Sequence, residues 1–150
     1  MEEIVKHLEQ IVIDYTPLLQ QISEEGYAFS PAPGKWSRKE VMGHLIDSAQ
    51  NNIRRFIVAQ YEDKPHIVYA QEQWVKAAGY KDYPVSELIN LWTLLNKQIC
   101  AILNNVPRDM EDREVLTGEL HTIKWLAEDY IKHLLHHLHM VLNIDAVAYP

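Results

Sequence analysis

Residues 37–60 read SRKEVMGHLIDSAQNNIRRFIVAQ and begin with the clearest helix start signal in the chain. Ser37 and Glu40 have the spacing of a capping box, in which each side chain accepts a hydrogen bond from the other residue's backbone N–H. Trp36, directly before the box, can pack against the first turns as a hydrophobic staple. The apolar residues that follow recur at spacings of three and four. They predict a long amphipathic helix that buries Val41, Leu45, Ala49, Ile53 and Phe56.

Three more helices of similar length are predicted on the two sides of this stretch. The first covers residues 2–24, where Pro17 removes one backbone donor and is expected to kink the helix. The third runs from Pro84 to about Asn105, and the fourth runs over residues 122–143. Each has one apolar stripe that it cannot bury alone. The sequence therefore predicts an all-α fold, a four-helix bundle.

Two connections in this bundle are long. Residues 61–84 link the second and third helices and are predicted to carry a short helix over residues 70–78. The aromatic residues of this link favour packing over a site or a partner: Tyr61, Tyr69, Trp74, Tyr80 and Tyr83. Residues 107–119, PRDMEDREVLTGE, are predicted to form a polar connection whose acidic part is a solvated turn.

Composition narrows the class of protein. A length of 150 residues fits one domain over residues 1–150, and the net charge of −7 disfavours binding to nucleic acid. The single cysteine, Cys100, excludes an internal disulfide and fits a reducing compartment. The N-terminal residues do not resemble a signal peptide, and no apolar run reaches the ~20 residues of a membrane-spanning helix. We therefore expect a cytoplasmic protein without a membrane partner.

The fourth helix carries the strongest functional signal. Its run IKHLLHHLHMVL (residues 131–142) holds four of the eight histidines. His133 and His137 are four residues apart and share the edge of the apolar face, which is the spacing of a bidentate metal clamp. His136 and His139 fall on the polar side. The alternative, that each histidine is an ordinary residue satisfied by a hydrogen bond, stays open.

Two known metal-site patterns are excluded. Leu134 stands where a zinc metalloprotease motif needs glutamate, and the absence of a Glu-x-x-His pair leaves a di-iron site without ligands. A third ligand must come from another helix, and His44 is the best candidate although it lies off the apolar stripe, beside Ser48, Asn51 and Arg55. The remaining histidines are expected to be solvated: His7, His66 and His121.

Three neutral imidazoles would leave a cation such as Zn²⁺ or Ni²⁺ with an open coordination position. Water at that position would become a hydroxide nucleophile, and a cofactor thiol there would be deprotonated. Asp47 and Asp129 lie about one turn from His44 and His133 and could orient an imidazole through its second nitrogen. The alternative for both aspartates, a solvated helix carboxylate, is the more common role of such residues.

Four segments together resemble a known family: GKWSRKEVMGHLIDS, YAQEQWVKAAGY, VSELINLWTLLNKQI and DYIKHLLHHL. From Trp36 to Leu138 the chain is similar to the DinB-like superfamily of four-helix bundles, which includes YfiT-like metal hydrolases and thiol S-transferases. The resemblance implies a divalent metal held by His44, His133 and His137, and a homodimer. One departure is Met140, where relatives often have a glutamine.

The sequence thus supports two hypotheses of function. The first is a divalent-metal-dependent enzyme that transfers a low-molecular-weight thiol to small electrophiles or hydrolyses a small substrate. The second is a non-catalytic dimeric bundle that binds metal or serves in a stress response.

Overall fold

Four long helices dominate the computed structural model, which describes residues 1–149. Numbered in chain order with two short helices, they are α1 (Glu2–Gln20), α2 (Glu24–Ala28), α3 (Arg38–Val58), α4 (Gln71–Ala78), α5 (Val85–Asn105) and α6 (Ile123–Leu142). The long helices contact one another in the ring order α1, α5, α3, α6, so that α3 and α6 are neighbours. The predicted all-α four-helix bundle is confirmed. Within residues 1–149, no helix is both long and apolar enough to cross a membrane.

The predicted start of α3 is confirmed in atomic detail. The Glu40 backbone N–H donates to Ser37 Oγ at 3.3 Å, and the Ser37 backbone N–H donates to Glu40 Oε2 at 2.8 Å. These reciprocal bonds satisfy two donors that the first turn would otherwise leave without partners. The cap therefore fixes where α3 begins. It thereby also sets the direction in which each later side chain of the helix points.

The helix α3 is buried on its polar face as well as on its apolar face. Polar residues that periodicity places away from the core are inaccessible to solvent: His44, Asp47, Ser48, Asn51 and Asn52. The view of Asp47 as a solvated carboxylate is therefore wrong. The reason is topological, because α6 and the link between α3 and α5 cover the face that a bundle helix usually exposes.

Gly43 allows this cover to approach closely. A Cβ atom placed on Gly43 would lie 2.0 Å from Cδ2 of Tyr80, which belongs to a 3₁₀ turn (Tyr80–Asp82) of the link. The Tyr80 hydroxyl donates a hydrogen bond to Asp47 Oδ1 one turn further along α3. The absence of a side chain at Gly43 therefore allows the aromatic link to pack directly against α3.

We expect Gly43→Ala to lower the free energy of unfolding by about 1–3 kcal/mol, the usual effect of overpacking a core. The better helix propensity of alanine, about 1 kcal/mol, offsets only part of this loss. Urea unfolding measures the change, and Gln50→Ala on the exposed side of the same helix is the matched control. A Gly43→Ala variant as stable as the control would contradict the proposed contact.

Two boundaries differ from those predicted. The first helix ends at Gln20, and a separate short helix begins after Ser23, whose hydroxyl accepts a hydrogen bond from the Gly26 N–H at 3.1 Å. The prediction of one helix over residues 2–24 is therefore wrong at its end, because a serine cap starts a new helix there. Pro17 lies inside α1 without ending it. The short helix predicted at residues 70–78 is confirmed as α4.

The prediction of a polar connection before α6 is also wrong in part. This stretch contains an antiparallel hairpin of β1 (Glu114–Leu116) and β2 (Leu120–Thr122), which turns through Gly118 at φ +113°. Val115 is fully buried, and the Leu116 backbone exchanges hydrogen bonds with Pro65 and Ile67 of the link. The hairpin thus fixes the end of the link that lies beside α6.

Candidate metal centre

Three histidines from two neighbouring helices meet inside the bundle. His44 of α3 is 1% exposed, and His133 and His137 of α6 are partly buried beside it. One ring nitrogen of each lies within 4.8 Å of the other two, and Nε2 of His44 is 3.0 Å from Nε2 of His133. A tetrahedral cation that binds nitrogen at 2.0–2.1 Å requires ligand nitrogens roughly 3.3 Å apart. The structure therefore brings together the three residues that the sequence nominated, at nearly the spacing of a metal site.

Some buried ring nitrogens of the cluster have no hydrogen-bond partner among residues 1–149. Nδ1 of His44 and Nδ1 of His137 are buried and have no hydrogen-bond partner within residues 1–149. Buried polar nitrogens are normally paired, so a set of imidazoles with so few partners is costly unless something binds it. A divalent transition metal accepts neutral imidazole nitrogens as ligands, and the donor set therefore fits such a metal.

Burial also selects the protonation state that a metal needs. Desolvation lowers the pKa of His44 to about 4 and that of His137 to about 3. The pKa of His133 falls to about 3, first by burial and then through the neighbouring His137 and His44. All three rings are therefore neutral near pH 7, which is the form that coordinates a metal.

Aromatic side chains enclose the cluster. The Trp36 ring lies 5.1 Å from the His44 ring, centroid to centroid, and the Tyr149 ring lies 5.3 Å from the His133 ring. Tyr149 arrives through the C-terminal residues, which fold back along α6: the His136 Nδ1–H donates to the Val147 carbonyl at 2.6 Å. These contacts shield two sides of the cluster from water.

A cavity of about 400 Å³ lies beside the cluster. His133 and His137 form part of its wall. The other polar side chains of the wall come from α3, α6, the link and the C-terminal residues, and include Ser48, Asn52, Arg55, Tyr69, Asp129, His136 and Tyr149. A small molecule in the cavity would therefore lie beside the rings of His133 and His137.

The two nominated aspartates have partners other than imidazole. Asp47 Oδ1 accepts from Tyr80, while Asp47 Oδ2 is buried and has no partner among residues 1–149. Burial raises the pKa of Asp47 to about 6. Asp129 Oδ2 accepts from the Tyr149 hydroxyl at 2.9 Å. Among residues 1–149, Asp47 is thus hydrogen-bonded to the link, and Asp129 is hydrogen-bonded to Tyr149 in the cavity wall. Neither aspartate accepts a hydrogen bond from an imidazole there.

The other histidines and the cysteine lie outside the cluster. His139 shares a hydrogen bond with Tyr15 at 2.7 Å, and His121 stacks on Trp125 at 3.7 Å between ring centroids. Cys100 is buried, and burial raises its pKa to about 11, which disfavours a reactive thiolate. Neither the cysteine nor these histidines adds a nucleophile to the site.

The sequence pattern does not predict that one face of α3 forms a cavity wall. Ser48, Asn52 and Arg55 follow His44 at intervals of four, eight and eleven residues, so they form one stripe along the helix. By sequence pattern the stripe is a polar face, and polar faces of bundle helices usually meet solvent. The signal that distinguishes it is the clustering of uncharged polar residues around one histidine.

Comparisons with known proteins agree with this architecture. The family model described as the DinB superfamily matches residues 7–141. A protein of Oceanobacillus iheyensis named "putative metal-dependent hydrolase" is 29% identical over 113 residues, which are 74% of this chain and 61% of that protein. This chain therefore aligns with about three fifths of the length of that relative.

Solved structures share the fold at low sequence identity. Bacillus subtilis YfiT, described as "a probable metal-dependent hydrolase with an unusual four-helix bundle topology", has a TM-score of 0.86 and 20% identity, covering 95% of this chain and 83% of YfiT. A mycothiol-dependent maleylpyruvate isomerase has a TM-score of 0.72 and 18% identity, covering 98% of this chain and 61% of the isomerase. At these identities the likeness establishes the fold alone.

Proposed function

This chain belongs to the DinB superfamily, and on that premise we propose that it is a divalent-metal-dependent enzyme acting on small molecules. The observation that carries the proposal is the cluster of His44, His133 and His137, two of whose rings line a cavity of about 400 Å³. A closed structural site would surround a metal with four protein ligands, whereas three ligands beside a cavity leave a position for a reactant.

The three histidines would hold Zn²⁺ or Ni²⁺, since neutral imidazole suits both ions. A cation bound there would lower the pKa of water or of a thiol at its open position. The protein's own contribution is to keep the imidazoles neutral by burial and to pack Trp36 and Tyr149 against them. These features support an activated nucleophile that meets its substrate away from bulk water.

The nucleophile defines two candidate reactions. In hydrolysis it is water, and the names of the Oceanobacillus iheyensis protein and of YfiT support this reaction. In thiol transfer it is the sulfur of a low-molecular-weight thiol, which attacks a small electrophile and displaces its leaving group. The mycothiol dependence of the structurally similar isomerase supports the second reaction.

One experiment separates these reactions. The protein is purified without an affinity tag, loaded with Zn²⁺ or Ni²⁺, and assayed with chromogenic esters and amides. In parallel it receives a thiol together with an alkyl halide or epoxide. We expect one reaction to depend on metal and to be lost when a chelator removes it. Metal-loaded protein that accelerates neither reaction would favour the non-catalytic metal-binding bundle.

We also propose that the protein forms a homodimer in the cytoplasm. The proposal rests on the family for the dimer and on the single buried cysteine for the reducing compartment. Met140 is 51% exposed, so the position where relatives often have glutamine is available to a partner. Light scattering on the metal-loaded protein measures the mass directly, and a mass of one chain at all concentrations would contradict the dimer.

A further inference from the structure

Arg55 places a half-buried positive charge in the wall of the cavity. It lies on α3 three turns beyond His44, and it is only partly accessible to solvent. Its side chain lines the same cavity as His133 and His137. Because helical side chains lean toward the N-terminus of their helix, the long arginine side chain is expected to reach back toward the histidines.

Hydrogen bonds fix the orientation of this guanidinium group. Its Nε–H and one Nη2–H donate to the carbonyl oxygen of Ile67 at 3.2 and 3.1 Å, and Nη1 donates to Asn52 Oδ1 at 3.4 Å. A guanidinium group has five N–H donors, so these bonds leave one donor on each terminal nitrogen. The link between α3 and α5 therefore holds the arginine in a fixed position with two donors to spare.

No carboxylate oxygen of residues 1–149 lies within ion-pair distance of the Arg55 guanidinium group. The carboxylate that shares its cavity, Asp129, accepts a hydrogen bond from Tyr149 instead. Burial lowers the pKa of Arg55, which reflects the cost of holding its charge away from water. A half-buried cation without a counter-ion in direct contact is costly to hold away from water, and an anion bound in the cavity would offset that cost.

We infer that Arg55 binds a carboxylate group of the small molecule that occupies this cavity. The inference rests on the proposed function, because it assigns a substrate class to the same site. A planar carboxylate matches the fork of a guanidinium group, and Nη1 and Nη2 of Arg55 each keep one N–H to donate to it. The carboxylate of Asp129 in the same wall repels anions, and it disfavours a dianionic phosphate more than a singly charged carboxylate.

The test uses metal-free protein, so that a carboxylate cannot bind to the metal instead. The probes are 3-mercaptopropanoate and 6-mercaptohexanoate, each compared with its neutral amide, and inorganic phosphate as a third anion. The Nε–H signal of Arg55 in ¹⁵N-labelled protein reports binding at the residue itself. We expect each carboxylate to bind roughly tenfold tighter than its amide, the usual preference for a charge-assisted hydrogen bond.

Arg54 provides a matched control because it is the same residue type on the exposed side of the same helix. Arg55→Gln should abolish the preference for carboxylate over amide, and Arg54→Gln should keep it. Arg55→Lys keeps the charge but lacks the fork, so its preference should be smaller than that of the wild type, and it replaces Arg55→Gln if that variant does not fold.

Four results would overturn the inference: no binding by the wild type, equal binding of acid and amide, equal losses in the Arg54→Gln and Arg55→Gln variants, or stronger binding of phosphate than of the carboxylates. Metal content and metal-dependent turnover are measured separately on the wild type. A protein that binds carboxylates through Arg55 but binds no metal would refute the proposed function and leave the anion site intact.

Discussion

Replacing His133 with alanine is expected to reduce bound Zn²⁺ or Ni²⁺ from about one equivalent per chain to less than about a tenth, because two imidazoles rarely hold these ions at micromolar concentrations. His133 is the member of the cluster whose Nε2 already lies 3.0 Å from that of His44. Its loss leaves His44 and His137, on different helices, as the two remaining imidazoles of the cluster. Metal content after dialysis, measured by atomic emission on tag-free protein, gives the result.

His139→Ala is the matched control for this variant. His139 lies on the same helix, but its hydrogen bonds are to Tyr15 and to the Asp145 carbonyl. We expect the control to keep its full equivalent of metal. A second measurement separates metal loss from misfolding: excess metal at about 100 times its Kd should stabilise the wild type and the control by about 2.7 kcal/mol. The same metal should leave folded His133→Ala unchanged. Equal metal content in both variants would remove the site.

The sequence predicted the frame of the site better than its surroundings. The capping box of Ser37 and Glu40 and the regular apolar spacing fixed where α3 begins and which face enters the core. The spacing of His133 and His137 placed both rings on one side of α6. These are local features, determined by residues within one or two turns of each other, and such features are readable from one sequence.

The parts that sequence missed depend on contacts between distant residues. Periodicity places His44 on a solvent-facing side because it describes a helix with one buried face, whereas α3 is covered on two. The cover consists of Tyr80, which Gly43 admits, and of α6. Arg55 owes its orientation to the Ile67 carbonyl, twelve residues away in the link. Local periodicity carries no information about these partners.

The metal-free protein is expected to lose stability on the order of 4 kcal/mol between pH 7 and pH 5. Burial lowers the pKa of His44 to about 4 and that of both His133 and His137 to about 3. In the unfolded chain the same rings bind protons below their ordinary pKa of about 6.5. The unfolded state therefore takes up protons that the native state excludes, and acid favours unfolding by about 2 kcal/mol for each ring at pH 5.

Asp47 has the opposite effect on stability as the pH falls. Burial raises its pKa to about 6, so the native state binds this proton before the unfolded chain does, and the native state gains about 1 kcal/mol over the same range. The three histidines outweigh it. Urea unfolding at pH 7, 6 and 5 in the presence of a chelator measures the difference, with constant m-values as the sign that the same transition is observed.

His137→Gln tests the assignment of this pH dependence to the cluster. Between pH 7 and pH 5, the free energy of unfolding of this variant should fall by about 2 kcal/mol less than that of the wild type. His7→Gln is the matched control, since His7 is exposed on α1 and meets solvent in both states. Stability that is flat over this range in the wild type would mean that the rings are protonated in the native protein. It would contradict the buried neutral cluster on which metal binding depends.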